Sequence, residues 1–320
     1  MRGPALVVRL LPPGVAGQGA WADDIHAAMT RLGIEPHAQN VCTVVAIVEQ
    51  ESGFRADPAV PGLADIARRE LERRRRGARV PALLVRAALA LRSSDGRSYG
   101  ERLERVRTEG ELSELYEDFA QRMPLPKVFF AEQNPVRTGG PMQVSIRFAE
   151  AHAAAQPYPY LPFRSVREEV FTRRGGLYFG IAHLLHYPAP YDDPLYRFAD
   201  YNAGRYASRN AAFQKAVREL LGVRLELDGD LLAQTEAAAV KLAARLRMSP
   251  EEIRRDLALG AGAQFEQTRL YAGVFALAGP VPRAVLPEIA LRTAKTRRML
   301  TTDGFARRAA ERYRTCLARL

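Results

Sequence analysis

The chain has 320 residues, enough for one large domain or two modest ones, and is 47% hydrophobic, which excludes a disordered chain. Its 47 basic residues, 43 of them Arg, outnumber 36 acidic ones for a formal +11, so the surface attracts polyanions: nucleic acid, an anionic membrane face or an acidic wall polymer. Two cysteines exclude a disulfide-rich scaffold and a zinc site of several Cys ligands, and no stretch approaches the ~18 uninterrupted apolar residues of a membrane helix.

Met1–Pro4 leads into a short apolar run, Ala5–Leu11, interrupted by Arg9. A secretory signal needs about 7–15 unbroken apolar residues and a small-residue cleavage site. Neither is present, nor is a lipid-acceptor Cys near the start, so the literal reading of this segment is cytoplasmic. Trp21–Leu32 is an amphipathic helix stopped by Gly33. A second helical pattern runs from Pro36 to Ser52 and ends at Gly53, and Pro61-Gly62 is a turn. Ala64–Arg76 reads as a highly charged helix, Pro81–Leu91 as a buried apolar one and Glu101–Arg122 as one long amphipathic helix. Residues 134–143 are turn-rich and Val144–Ala155 is helical. Gln156–Phe163 carries three prolines and cannot be a regular helix. Helices follow at Phe179–His186, Pro194–Tyr201 (closed by Asn202-Ala203-Gly204), Ser208–Leu221, Leu231–Arg247, Pro250–Leu259, Gln264–Ala278 and from Leu286 to the C-terminus. Ser249-Pro250-Glu251-Glu252 is a capping box with Pro at the first helical position. Strands are expected to be short, near 125–145 or 223–227.

Three pieces carry chemistry. On the helix ending at Ser52, Val41, Val44, Val45 and Val48 form an i, i+3, i+4, i+7 stripe that continues to Glu51, placing its carboxyl at the core side of the helix end. Glu49 points elsewhere, toward solvent. An apolar wall and the negative end of the helix dipole both disfavour a charged Glu51, the property wanted in a general acid. Gly139-Gly140-Pro141-Met142-Gln143 brings glycines next to a polar side chain, a pattern that lets backbone approach a ligand. Ala199–Gly204 places Tyr201 on the stripe with Leu195 and Phe198, at a helix end that Asn202 and Gly204 terminate.

Glu51-Ser52-Gly53-Phe54, then Gly140-x-Met142-Gln143, then Tyr201-Asn202-Ala203-Gly204, in that order over about residues 38–220, resembles the soluble lytic transglycosylases, lysozyme-like enzymes that cleave peptidoglycan. Pro141 stands where the family has Leu, and 88 positions separate Ser52 from Gly140, where the family has a few tens at most. The chain is also similar to an uncharacterised family of bacterial lipoproteins known as a domain of unknown function. The resemblance implies a mainly α, lysozyme-like core at 38–221 with inserted helices at about 63–133, preceded by a segment 1–37 and followed by a helical extension 222–320. It implies cleavage of the MurNAc–GlcNAc β-1,4 bond to a 1,6-anhydro end with Glu51 as acid and base and no cofactor or metal. Tyr201 would position Glu51. Ser52, Gly140, Met142, Gln143 and Asn202 would support the cleft or contact sugar. Peptidoglycan glycan strands are then the partner, with an anionic membrane surface as a second one. The location would be periplasmic, or an outer-membrane lipoprotein whose export signal lies upstream of Met1.

Asp57, Asp65 and Asp200 read as turn or surface charges rather than a second catalytic carboxylate. Cys42 and Cys316 are separate thiols in a reducing compartment. In the periplasm they could either stay apart or pair, and pairing would close a long loop worth ~4–5 kcal/mol in the chain-entropy model. Two other classes compete with the enzyme: a non-catalytic wall-binding or scaffold protein of the same fold, and a basic helical nucleic-acid-binding protein built on Arg73–Arg76. Glu70 and Glu72 inside that Arg-rich stretch favour a solvated helix face, and no nucleic-acid motif contains it. His183 and His186 read as packing histidines, and Tyr158, Tyr160 and Phe163 either stack on sugars or pack on the domain.

Overall fold

The computed structural model describes residues 3–122, 134–291 and 300–320, and the fold is mainly helical. The chain divides into two compact units. One comprises residues 1–13, 32–50 and 181–320, and the other residues 14–31 and 51–180.

The described residues of the first unit are mainly helical, with one short hairpin. It contains α1 (Pro4–Leu10), most of α3 (Ala38–Glu51), the end of α10 (Arg173–Leu185), α11 (Pro194–Ala203), α12 (Ala207–Leu221) and the elements that follow. Every residue of α3 from Val41 to Val48 is buried, so the expected one-sided stripe is an all-round buried segment. Burial overrides the weak helix propensity of six β-branched residues in that run. The core beyond it gathers Phe213, Phe265, Leu270, Val274 and Phe275. Around it run α13 (Gln234–Ala239), a 3₁₀ turn, α14 (Ala243–Leu246), α15 (Pro250–Leu257), two further 3₁₀ turns and α16 (Arg269–Ala278). The capping box at Ser249 and Glu252 forms as the sequence dictates. Residues 286–291, expected to begin a helix, are not helical. Prolines at 280, 282 and 287 remove backbone donors there, and the chain instead forms β3 (Ala290–Leu291), paired antiparallel with β4 (Leu300–Thr301). Only then does α17 (Thr302–Leu317) begin, capped by Thr301, and it packs along α11. Cys42 on α3 and Cys316 on α17 are joined by a disulfide across 274 positions. Arg319 donates to the Leu10 carbonyl at 2.9 Å, fastening the end of α1 to the same place.

The second unit contains α2 (Gln18–Arg31), α4 (Leu63–Gly77), α5 (Ala82–Ala90), α6 (Tyr99–Arg105), α7 (Glu109–Arg122), the hairpin β1 (Thr138–Gly139) and β2 (Val144–Ser145), α8 (Ile146–Ala155), α9 (Val166–Val170) and the start of α10. The expected single helix over 101–122 is two. Thr108 accepts from the Glu111 amide at 3.2 Å, and the Glu111 carboxylate accepts from the Arg107 and Thr108 amides, so a second capping box starts α7 after a break at Val106. The expectation that Pro81–Leu91 is a buried helix is overturned: α5 forms, but none of its residues is buried. Part of the expected strand region, 123–133, lies outside the described residues. Residues 223–227, the other expected strand, form no regular element.

Candidate functional site

Within the second unit, the end of α3 and the β1–β2 turn present the expected residues. Glu51, the last residue of α3, is half-buried, and Ser52 is buried. Gly53 and Phe54 both take left-handed conformations (φ 57° and 61°), which turns the chain sharply just after the carboxylate. Arg55 closes the turn, its amide donating to Ser52 Oγ at 3.3 Å and its Nε to the Ser52 carbonyl at 3.0 Å. Phe54 packs edge-on against Trp21 at 5.3 Å between ring centroids. Arg173 lies over the indole at 5.7 Å and pairs with Asp24 at 2.5 Å. The backbone kink beside Glu51 is therefore held by an aromatic pair and a short ion pair, which no local pattern announces because Asp24 and Arg173 are 149 positions apart.

The Gly140–Gln143 turn joins β1 to β2 with Thr138 opposite Ser145 and Gly139 opposite Val144. Gln143 has φ 51°, its amide donates to the Gly140 carbonyl at 3.1 Å and Thr138 Oγ1 donates to its Oε1 at 3.3 Å. Met142 is fully buried. The glycines serve the protein's own packing: a Cβ on Gly140 (φ 75°) would overlap the Val170 carbonyl, one on Gly139 would meet the Phe171 ring, and one on Gly176 would lie 2.6 Å from the Val170 oxygen. The expectation that these glycines admit a ligand to the backbone is corrected to a close approach between this turn and α9–α10. Gln143 and Thr138 are the polar side chains that the turn presents.

The aromatic loop also packs inward. Tyr158 stacks on Phe179 at 5.0 Å and donates to Glu169 Oε2 at 2.6 Å, so burial and the Glu169 charge raise its phenol well above the usual range. Asp57 accepts from the Gly110 amide at 3.3 Å at the start of α7, and burial raises its pKa.

Tyr201 and Asn202 belong to the first unit, at the end of α11. The Tyr201 ring lies 5.0 Å from the His183 ring, and His183 Nε2 donates to the Tyr201 carbonyl at 3.3 Å. Burial, with Arg205 nearby, lowers the His183 pKa to about 4. The histidine is a neutral packing group, and the described residues contain no cluster of His, Cys, Asp and Glu that could hold a metal. Asn202 Oδ1 accepts from Thr302 Oγ1 at 3.0 Å. Gly204, with φ 112°, ends the helix.

Two acidic residues differ from expectation. Asp200 is no surface charge. It is fully buried and accepts from the Tyr206 and Ser208 amides at 2.8 and 2.7 Å and from the Tyr187 and Tyr191 hydroxyls. Burial raises its pKa to about 6 while these donors oppose the rise. Glu49 is partly buried, 4.0 Å from Arg312 of α17, instead of solvated.

The chain belongs to the family described as "Protein of unknown function (DUF1615)", whose model matches residues 14–319. It is similar to "Uncharacterized protein YaiW" of Escherichia coli (strain K12), with 49% identity over 325 residues, covering 98% of this chain and 89% of that protein. No solved structure matches the chain. The similarity to an uncharacterised family read from the sequence holds at that level.

Proposed function

We propose that the protein is a peptidoglycan lytic transglycosylase of the cell envelope, with Glu51 as its acid and base. The observation that carries this reading is the placement of Glu51. It is a half-buried carboxylate at the C-terminal end of an otherwise buried helix, followed by a left-handed turn braced by Trp21, Phe54 and Arg55, and it shares a compact unit with the Gly140–Gln143 turn. Glu51 protonates the glycosidic oxygen between N-acetylmuramic acid and N-acetylglucosamine as the C1–O4 bond breaks. The acetamido group of the muramic acid stabilises the positive charge at C1. The Glu51 carboxylate then takes the proton of the C6 hydroxyl as that oxygen bonds to C1, which regenerates the acid and yields the 1,6-anhydro ring without consuming water. One carboxylate suffices, unlike the paired carboxylates of most glycosidases. In this reading Gln143 and Ser52 orient sugar or the carboxylate. An envelope location accords with the Cys42–Cys316 disulfide, since such bonds persist in oxidising compartments.

The test is digestion of purified sacculi with product analysis. Wild-type protein should release anhydro-muropeptides, and Glu51→Gln, which keeps the shape and removes the proton, should lower the rate by at least about a hundredfold. Equal release by both proteins, or reducing ends in place of anhydro ends, refutes the assignment. The inward use of Gly139 and Gly140 favours one second reading, a wall-binding protein without turnover. Co-sedimentation with sacculi without product release would identify it.

A further inference from the structure

The α4–α5 hairpin of the second unit has a composition and an exposure that no part of the proposed chemistry uses. From Arg73 to Ser94 the chain carries seven arginines and no acidic residue. Within that stretch α5 is apolar apart from Arg86, yet none of its residues is buried: Leu83 and Leu84 are 68% and 59% exposed, and Leu91, just after the helix, is 48% exposed. Beneath α5 lies an open cleft of roughly 640 Å³ whose walls include Leu71, Leu84, Val85, Ala88, Tyr116 and Phe119. Monomeric proteins rarely leave such apolar surface to water without a partner for it.

The charges around it have a sign. On α4, Glu70 pairs with Arg73 and Arg74 at 2.7 Å each, Glu72 pairs with Arg75 and Arg76 at 2.6 and 2.9 Å, and Arg68 reaches Glu104 at 3.4 Å. Those pairs hold the α4 arginines in place. Arg69, Arg79 and Arg86 are exposed, and among the described residues they have no acidic partner. Leucines projecting from a short helix, flanked by arginines and free of carboxylates, meet the two requirements of an interfacial segment: apolar side chains for the acyl layer and cations for the phosphates above it. A protein groove would satisfy the leucines but gives no reason for the acid-free flank, whereas a surface of lipid phosphates does.

We propose that the α4–α5 hairpin docks on an anionic phospholipid bilayer. Leu83, Leu84 and Leu91 enter the acyl boundary and Arg69, Arg79 and Arg86 meet the headgroup phosphates. At nine residues α5 is too short to cross a bilayer, so the hairpin lies at its surface. It is independent of the carboxylate chemistry at Glu51.

The test is co-sedimentation of the full chain with vesicles of phosphatidylcholine alone and of phosphatidylcholine with phosphatidylglycerol. Binding is expected to the mixed vesicles, to weaken with salt, and to be near background on phosphatidylcholine alone. Leu83→Asp with Leu84→Asp should reduce it at least about tenfold, and Arg79→Gln with Arg86→Gln by about tenfold or more at low salt. Both pairs are exposed, so the melting temperature should hold. A Leu83→Trp variant reads the same contact without a charge change: its emission should shift to the blue when mixed vesicles are added. The proposal is overturned by binding that ignores the lipid charge, by unaltered binding of the leucine and arginine variants, by a Leu83→Trp emission that mixed vesicles leave unchanged, or by light scattering that shows a dimer which Leu83→Asp and Leu84→Asp dissociate, since a second copy would then cover the face. Loss of sacculus digestion in Glu51→Gln with vesicle binding intact separates this proposal from the enzymatic one.

Discussion

Asp200 and His183 show how burial sets the behaviour of single groups near the end of α11. Asp200 is surrounded by four donors, two of them backbone amides, yet its pKa is pushed up to about 6, because removal from water outweighs the hydrogen bonds. Its folded-state value lies above the unfolded one, so its contribution to stability is full below pH 3.8 and is lost as the pH rises through about 6. His183 has the opposite sign. Its pKa is lowered to about 4, so its contribution is present above pH 6.5 and is lost as the pH falls through about 4. Over pH 4–6.5 the two oppose each other. Replacing His183 with Asn should lower the melting temperature at pH 7 through lost ring packing, and the gap to wild type should narrow as the pH falls toward 4. A gap that stays constant in melts across that range would show that His183 has the same pKa in the folded and the unfolded protein. The sequence placed His183 correctly as a packing group but read Asp200 as a surface charge. The i, i+1 position beside Tyr201 carries no sign of burial, and the donors come from Tyr187, Tyr191, Tyr206 and Ser208, which only the folded chain brings around it.

At the scale of elements, caps and turns were legible and exposure was not. Ser249–Glu252 starts α15 as read. The second box, Thr108–Glu111, is equally local, and recognising it would have divided the 101–122 helix. The Gly139–Gln143 turn was located correctly, but the role of its glycines depends on α9 and α10, some thirty positions further along the chain. Gly140→Ala tests that role. The side chain would meet the Val170 carbonyl at a backbone angle of φ 75°, so a loss of about 2 kcal/mol or more is expected in chemical denaturation, with the hairpin reshaped and sacculus digestion reduced in parallel. A neutral substitution would mean that the turn can move away from α9. The Arg73–Arg76 cluster is a paired helix face to the extent that Glu70 and Glu72 hold four guanidiniums. Hydrogen bonds from Arg75 and Arg76, with their charge, hold the Glu72 carboxyl down to about 2. The apolar α5 that follows is an interaction surface where periodicity alone read core.

For the whole molecule, the expectation of a mainly helical chain holds, and the division into two units is built from discontinuous stretches of sequence. The first unit joins residues near both termini, and the Cys42–Cys316 bond is its covalent tie. Reduction, or Cys42→Ser with Cys316→Ser, should lower stability by about 2–5 kcal/mol, read as a drop in denaturation midpoint that a reducing agent reproduces in wild type and leaves unchanged in the double variant. An unchanged midpoint on reduction would mean that α17 is held by packing and the Arg319–Leu10 and Arg312–Gln50 hydrogen bonds alone.

The sequence by itself determined the helical character of the chain, the Ser249–Glu252 helix start, the +11 charge, the family-level similarity and the order of the Glu51, Gln143 and Tyr201 motifs, because caps, breakers and spacing act over a few residues. Only the tertiary structure decided which groups lose water: α5 exposed and Asp200 buried, Glu49 facing Arg312, glycines packed on Val170, and the residues after Leu286 drawn into a hairpin. Desolvation and close packing are set by partners that the fold brings together, from Tyr206 six positions beyond Asp200 to Arg312 near the opposite end of the chain from Glu49, and a local pattern carries no record of them.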